Sequence, residues 1–254
     1  MLRGLLVGTI AFAMTSFTTA AGAAEVRIIS GPATAGVLAQ VGTQFERETG
    51  NKLTHRGGVT GVLKQLIESG EPFDLAMVPG PLMDQFVKEG KIAAGTSKPF
   101  VRVGMGIAVR AGAAKPDVST VAKFKQTLLD AKSITFVASG EAATHLAEVL
   151  DRLGISKQVK AKAQLQQTVA AAINAVASGK AELYVSLTNI IASGKGIELA
   201  GPFPPELQHY LVINTGISAT AKEPDAAKAF VKLLMSASVD QIIKAKGLER
   251  ASSR

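Results

Sequence analysis

The stretch EVRIISGPATAGVLAQVGTQFERETG, residues 25–50, decides how this chain folds. Residues 26–29 are rich in β-branched side chains and predict a strand. Four apolar residues from Val37 to Phe45 then recur at helical spacing and predict an amphipathic helix, which Gly50 ends. A strand followed by a helix is the unit from which α/β sheets are built, so this stretch predicts an α/β protein.

The same alternation continues towards residue 90 and favours a parallel-type sheet. Its predicted elements are a strand near Leu53, a helix over 62–67 ended by Gly70, a buried strand over 74–78 and a helix from Pro81 to Gly90. Proline is well suited to the first turn of a helix, where its missing N–H has no intrahelical partner.

Residues 101–109 predict a long strand, and its two glycines permit a bend where the chain crosses from one lobe to the next. The alternation then restarts, which indicates a second α/β unit. Its predicted elements are a helix from Ser119, strands over 134–137 and 183–185, a helix over 141–153 ended by Gly154 and a helix ended by Gly179. A turn-rich break over 201–205, a strand over 210–213 and a helix from Pro224 follow.

These elements predict two α/β units, with the chain crossing from the first to the second near residue 104. Residues 1–24 combine Arg3, an apolar run and a small-residue run, and they predict a secretory signal peptide. The apolar run is shorter than the roughly 20 residues that cross a bilayer, so we expect a released periplasmic protein that is not embedded in the membrane.

Composition narrows the function. The chain has no Cys, which excludes disulfides, thiol catalysis and a lipid-anchoring cysteine, and its three His have no zinc-site spacing. We therefore expect no metal and no cofactor. The net charge of +8 is spread over predicted helix surfaces and loops, and Trp is absent, so the pattern disfavours nucleic-acid binding. A positive field would, however, attract small anions.

Three motifs carry a resemblance to a known family: FERETG at 45–50, IESGEPFDL at 67–75 and GPFPPELQ at 201–208. In their order and spacing they resemble the molybdate-binding-protein-like family of periplasmic solute-binding proteins. The resemblance covers almost the whole chain after residue 24. It implies a two-lobed α/β periplasmic binding protein of type II, a monomer that holds a solute in the cleft between its lobes. Lobe 1 would take residues 25–104, lobe 2 residues 105–207, and a return segment over 208–254 would complete lobe 1. Such proteins deliver the solute to an ABC transporter permease and catalyse nothing.

The resemblance also implies a set of ligand-binding positions. In the first lobe they correspond to Ala33 and Thr34 in the first loop and to Thr60 and Gly61 in the second. In the second lobe they correspond to the backbone donors of Ala142 and Val169. A tyrosine common in the family aligns with Leu187, which leaves the neighbouring Ser186 and Thr188 as substitutes.

The residues themselves point to an anion site. Short polar or glycine-containing loops precede the predicted helices at Thr34, Thr60 and Glu141, so unpaired N–H groups and positive helix ends would face one cleft. Simple helix capping by Ser or Thr explains each loop equally well taken singly, and Ser139 lies in one of them. The carboxylate of Glu141 would repel a multiply charged anion unless it points away.

Two cationic or titratable residues are further candidates. Arg56 suits a carboxylate or oxyanion, although an exposed loop position is an alternative. His145 lies one helical turn after Glu141 and would donate to a ligand if it faced the cleft, or else lie on the helix surface.

The favoured function is binding of a small anion by lobe closure, with a molybdate-like or tungstate-like oxyanion first and a small organic acid as the alternative. An exported hydrolase is less favoured, because the sequence has no nucleophile elbow, no His-Glu-x-x-His pair and no P-loop. A protein that acts as a scaffold without closing is a third possibility.

Overall fold

The structure is a computed structural model that describes residues 23–139 and 141–251, and the side chain of Glu141 is not described. Residues 1–22 of the predicted signal peptide, Gly140 and the last three residues of the predicted return segment lie outside it. No helix in the described part combines the length and the apolar character that a membrane span needs.

The described residues form eleven strands and ten α-helices. The strands are β1 (Glu25–Ser30), β2 (Lys52–Gly57), β3 (Leu75–Pro79), β4 (Lys98–Val103), β5 (Met105–Arg110), β6 (Ile134–Val137), β7 (Ala163–Gln166), β8 (Leu183–Leu187), β9 (Ile197–Pro202), β10 (Leu211–Ile217) and β11 (Glu249–Arg250). The helices are α1 (Ala35–Thr49), α2 (Thr60–Glu68), α3 (Gly80–Lys88), α4 (Val121–Asp130), α5 (Glu141–Leu153), α6 (Ser156–Lys160), α7 (Val169–Ala177), α8 (Thr188–Ser193), α9 (Pro224–Leu234) and α10 (Asp240–Ala245).

The strands form two sheets, with the orders β11-β4-β10-β3-β1-β2 and β7-β6-β8-β5-β9. Strands joined by helices pair in parallel, as β1 does with β2 and β3, and β6 with β7 and β8. The prediction of parallel sheets is wrong for the strands that cross between sheets. Strand β10 runs antiparallel to β3 and β4, and β5 runs antiparallel to β8 and β9. These two strands enter their sheets from the other sheet, without the crossover helix that a parallel connection needs.

The predicted long strand over 101–109 is two strands in two sheets. Gly104 separates β4 of the first sheet from β5 of the second. Gln208 clasps this point: its Oε1 accepts from the N–H of Met105 at 2.7 Å and its Nε2 donates to the carbonyl of Met105 at 3.1 Å. A Cβ on Gly104 would lie 3.2 Å from this side-chain amide, so glycine makes room for the clasp.

Strands β7 and β9 and helix α6 are among the elements that the sequence prediction does not include. Strand β7 has the sequence AQLQ, without β-branched residues, and lies at a sheet edge with Leu165 58% exposed. Strand β9 ends in Gly201-Pro202, inside the predicted turn-rich break, which an edge strand tolerates because its outer N–H groups need no partner. Helix α6 has five residues, too few to show a helical period.

The C-terminal helices pack against the first sheet's helices. The ring centroids of Phe45 on α1 and Phe230 on α9 lie 5.0 Å apart, and both side chains are buried. The first sheet takes its strands from 25–103 and 211–250, and the second from 105–202. The division into lobes at 104/105 and 207/208 stays a prediction about folding units.

Candidate functional site

A small cavity lies between the two sheets. It is lined from the side of the first sheet by residues such as Gly31, Ala33 and Thr60, and from the side of the second by residues such as Val169, Tyr184 and Ser186. It leaves about 60 Å³ for the centres of water molecules. Since a water molecule needs roughly 10–15 Å³ on this measure, the cavity holds about four to six of them. It therefore fits a solute of a few atoms.

Helix starts surround this cavity. Among the described lining residues, Pro32 begins a 3₁₀ turn, Thr60 begins α2 and Val169 begins α7, Ala142 is the second residue of α5, and Pro79 and Leu187 immediately precede α3 and α8. Several of these residues also end or follow strands, which places the cavity at the carboxyl ends of strands in both sheets. The first N–H groups of a helix have no intrahelical partner and carry a partial positive charge. Their convergence makes this an environment that favours an anion.

Three of the described lining side chains carry hydroxyl groups: Thr60, Tyr184 and Ser186. Most other lining residues have apolar side chains, and none of the described ones is charged. Tyr184 has no solvent exposure, and no hydrogen bond of ordinary geometry reaches its hydroxyl oxygen among the described residues. Burial raises the pKa of this phenol, and a hydrogen-bonding interaction with the Ser186 hydroxyl, which falls short of that geometry, opposes the rise. Tyr184 is therefore protonated at neutral pH, with a proton available to donate.

The family model for bacterial extracellular solute-binding proteins matches residues 26–249. The chain belongs to this family. Its members act outside the cytoplasm, bind small solutes and work with the permease components of ABC transporters.

Two curated proteins and one solved structure are similar to this chain. A curated aconitate isomerase from a Pseudomonas species is 27% identical and spans 96% of this chain and 95% of its own. The molybdate-binding protein ModA of Azotobacter vinelandii is 28% identical, over 90% of this chain and 91% of its own. The solved periplasmic molybdate-binding protein of Azotobacter vinelandii superposes with a TM-score of 0.73 at 19% identity, over 90% of this chain and 100% of its own.

These comparisons confirm two predictions made from the sequence. The resemblance to molybdate-binding proteins is confirmed by the family model and by relatives of that name. The fold class is confirmed as well, because the solved neighbours are periplasmic binding proteins of type II.

Five of the predicted site residues of this solute-binding protein line the cavity: Ala33, Thr60, Ala142, Val169 and Ser186. The structure brings them together from five separate segments of the chain. In sequence they share only positions at the end of a strand or the beginning of a helix.

Two further predicted residues meet at a contact between the two sides of the cavity. The N–H of Gly61 donates to the carbonyl of Ser139 at 3.4 Å. A Cβ on Gly61 would lie 3.2 Å from the Cβ of Ser139, so glycine allows this close approach. Neither residue lines the cavity, but both are close in sequence to residues that do. Gly61 follows Thr60, and Ser139 precedes α5, which contains Ala142.

Thr34 and Thr188 use their hydroxyls within the protein instead of lining the cavity. Buried Thr34 donates to the carbonyl of Gly31 at 3.2 Å. Thr188 donates to the carbonyl of Gly104 through its hydroxyl at 3.3 Å and through its N–H at 3.0 Å. Both hydroxyls support the backbone near the cavity, so neither is proposed as a ligand contact.

Arg56 and His145 also lie outside the cavity lining. Arg56 forms an ion pair with Glu71, and its side chain is 62% exposed. Nε2 of His145 hydrogen-bonds the carbonyl of Leu207 at 2.8 Å, and its ring stacks on His209 with centroids 4.9 Å apart. Arg56 takes the exposed position given as its alternative, whereas His145 makes contacts within the protein that neither of its alternatives describes.

Sequence reasoning missed Tyr184, the most deeply buried hydroxyl of this site. All residues of β8 are buried, so the strand shows neither the alternation nor the loop position that marks a site. The available signal was its type and spacing. Tyr184 is one of two tyrosines in the chain and lies two residues before Ser186, on the same face of the strand.

Proposed function

We propose that this solute-binding protein binds a small anion between its two sheets and presents it to an ABC transporter permease. The observation that carries the proposal is the convergence of helix starts from both sheets on one small cavity without charged lining residues in the described structure. Such a site holds negative charge with N–H groups and dipoles instead of with ion pairs.

The size of the cavity favours a compact ligand. Space for about four to six water molecules suits a tetrahedral oxyanion such as molybdate or tungstate. The N–H groups arrive from both sheets, which suits a ligand with acceptor oxygens on every side. An oxyanion of this kind is therefore the first candidate.

A small carboxylate is the second candidate, and two observations favour it. The walls of the cavity are mostly apolar, which suits a ligand with a polar end and an apolar body. One relative, 27% identical over 96% of this chain, is named an aconitate isomerase.

Binding is favoured over catalysis by the chemistry of the lining. None of the described lining residues is a histidine, a carboxylate or a lysine, and burial keeps Tyr184 protonated, so the described lining offers no general base at neutral pH. A serine–histidine pair exists nearby, with Ser30 Oγ 2.7 Å from His55 Nε2. Ser30 has no solvent exposure and does not line this cavity, so the pair does not face the proposed ligand site, which disfavours the hydrolase alternative.

The proposal is tested by thermal unfolding of the protein that begins at Glu25, against molybdate, tungstate, sulfate, phosphate, aconitate and other small carboxylates. A ligand at about a thousand times its dissociation constant adds ~4 kcal/mol to the free energy of unfolding. For a chain of this size we expect Tm to rise by roughly 8 to 16 °C.

The pattern of shifts separates the candidates. A selective rise with molybdate and tungstate supports the oxyanion, and a rise confined to carboxylates supports the second candidate. No shift with any anion contradicts the proposal. The aconitate samples are also followed by NMR, because conversion of aconitate by the protein would contradict a role limited to binding.

A further inference from the structure

We propose that Tyr184 donates the hydrogen bond that fixes the anion on the side of the second sheet. The inference rests on the proposed function and names a ligand-contacting residue that the sequence motifs do not identify. The Tyr184 hydroxyl is a neutral donor: it carries no positive charge, and its hydrogen bond needs an acceptor atom on the ligand.

The phenol oxygen of Tyr184 lacks a well-formed hydrogen bond. Tyr184 has no solvent exposure and lines the cavity, and among the described residues no hydrogen bond of ordinary geometry reaches its hydroxyl, although it interacts with the Ser186 hydroxyl. A buried polar group without a partner is destabilising, so native structures rarely keep one without a reason. A ligand oxygen in the cavity supplies the missing acceptor.

Tyr184 is held in a rigid position. Tyr184 lies on β8, where its Cα pairs with Ala108 of β5 on one side and Thr135 of β6 on the other. Central strands hold their side chains more firmly than loops do, and a site built on them is pre-organised. The helix starts supply diffuse positive potential, whereas this hydroxyl supplies one directed bond.

The phenol of Tyr184 is protonated at neutral pH. Burial raises the pKa of Tyr184, with Ser186 opposing the rise, so the group stays a donor throughout the neutral range. An anion bound beside it would oppose loss of the phenol proton further, since ionisation would place two negative charges together. Binding and the ionisation of Tyr184 are therefore coupled, and the coupling is measurable.

The chain offers a matched control. It contains no Trp and two Tyr, and the second, Tyr210, is 46% exposed with the guanidinium of Arg102 4.9 Å from its ring centroid. Tyr184→Phe and Tyr210→Phe each remove one hydroxyl and keep the ring. The probe is whichever of molybdate and aconitate raises the Tm of the parent protein more. Its affinity for the parent and for each variant is measured by calorimetry.

We expect Tyr184→Phe to weaken binding of that probe by about tenfold to a hundredfold, as for loss of a hydrogen bond to a charged group, and Tyr210→Phe to leave affinity unchanged. Equal affinities in the parent and both variants overturn the inference while the proposed function stands. Failure of the parent and the Tyr210→Phe protein to bind any anion of the panel overturns the proposed function itself.

A second measurement covers the case in which Tyr184→Phe does not fold. In Tyr210→Phe the remaining tyrosine is Tyr184, so its ionisation is followed by ultraviolet absorbance as pH is raised. We expect the saturating probe anion to move the ionisation midpoint upward. An unmoved midpoint, with binding demonstrated in the same sample, overturns the inference.

Discussion

At the scale of single residues, Asp74 shows how one carboxylate ties distant segments together. It has no solvent exposure and accepts from the backbone N–H of Arg27, Lys222 and Glu223 at 2.9, 2.7 and 3.1 Å. It also accepts from Nε and Nη2 of Arg27, each at 2.9 Å. Asp74 thereby joins strand β1, the start of β3 and the residues that lead into α9.

These contacts set the protonation of Asp74. Burial alone would raise its pKa, but the hydrogen bonds from the Arg27 side chain and from three backbone N–H groups outweigh burial and lower the pKa from 3.8 to about 2. A group whose folded pKa lies below its unfolded value stabilises the fold above the unfolded value and loses that contribution as pH falls through the folded one. The relevant window runs from about pH 4 down to about pH 2.

We expect Asp74→Asn to lower the free energy of unfolding by about 3 kcal/mol at pH 7, because it leaves the Arg27 guanidinium without its buried partner. The stability difference between the parent and the variant should shrink by about 2 kcal/mol between pH 4 and pH 2. Urea denaturation at a series of pH values measures both quantities.

The control is Asp225→Asn, at a carboxylate that is 94% exposed and pairs with Lys228 on the helix surface. We expect a change within about 0.5 kcal/mol and no matching pH dependence. A loss in Asp74→Asn no larger than in this control would contradict the role given to Asp74.

At the scale of secondary-structure elements, the sequence predicts helix starts and ends better than sheet edges. Proline marks the first turns of α3 and α9, and Gly50 ends α1 with a φ of 73°, a left-handed conformation that suits glycine. These signals are local and physical. Edge strands β7 and β9 carry weaker ones, since half of their backbone groups face solvent and little apolar patterning is required.

The same distinction explains which site residues could be predicted. Thr60, Ala142 and Val169 were expected from the family resemblance, and they also stand at helix starts, which sequence patterns reveal. Tyr184 was missed because a fully buried strand hides which side chains face a cavity and which face the core.

Thr60 offers a test at this scale, because its hydroxyl does not cap its helix. Residue Val59 is the N-cap of α2, and no side-chain cap hydrogen bond is formed there. We expect Thr60→Val to weaken anion binding by about tenfold, through loss of a hydrogen bond to a charged ligand, with little change in Tm of the ligand-free protein. Calorimetric titration and differential scanning calorimetry measure the two effects separately.

Thr120→Val is the matched control. The Thr120 hydroxyl caps α4 by accepting from the N–H of Lys123 at 3.3 Å, and Thr120 does not line the cavity. Its replacement should cost about 1 kcal/mol of stability and leave affinity unchanged. If Thr60→Val behaves like this control, Thr60 acts structurally and leaves the proposed contact set.

At the scale of the whole molecule, direct bonds join the two sides of the cavity. Nδ2 of Asn189, on α8 beside the second sheet, donates to the carbonyl of Ala33 after strand β1 at 2.8 Å, and both residues are buried. The bond from Gly61 to Ser139 joins the sides at a second point. Under the proposed lobe closure, bonds of this kind would form when the sides close and break when they separate.

The sequence could predict two α/β units, because each unit repeats a local pattern, whereas the return of the chain was expected only from the family resemblance. It could not predict the bond between Asn189 and Ala33, whose partners lie 156 residues apart and belong to no repeating pattern. Contacts of such separation depend on how the units pack, which side-chain periodicity does not specify.

Closure gives the last prediction. We expect Asn189→Ala to weaken binding of the probe anion and to reduce the ligand-induced decrease in radius of gyration seen by small-angle X-ray scattering, because the closed arrangement loses a buried hydrogen bond. The control is Asn51→Ala, which removes an amide that accepts from the N–H of Ala24 at 3.0 Å at the start of the first sheet, away from the cavity. This variant should contract with the ligand as the parent does. Full contraction and unchanged affinity in Asn189→Ala would show that closure does not depend on this bond. A parent protein that never contracts with any bound anion would instead favour a scaffold over a receptor that closes.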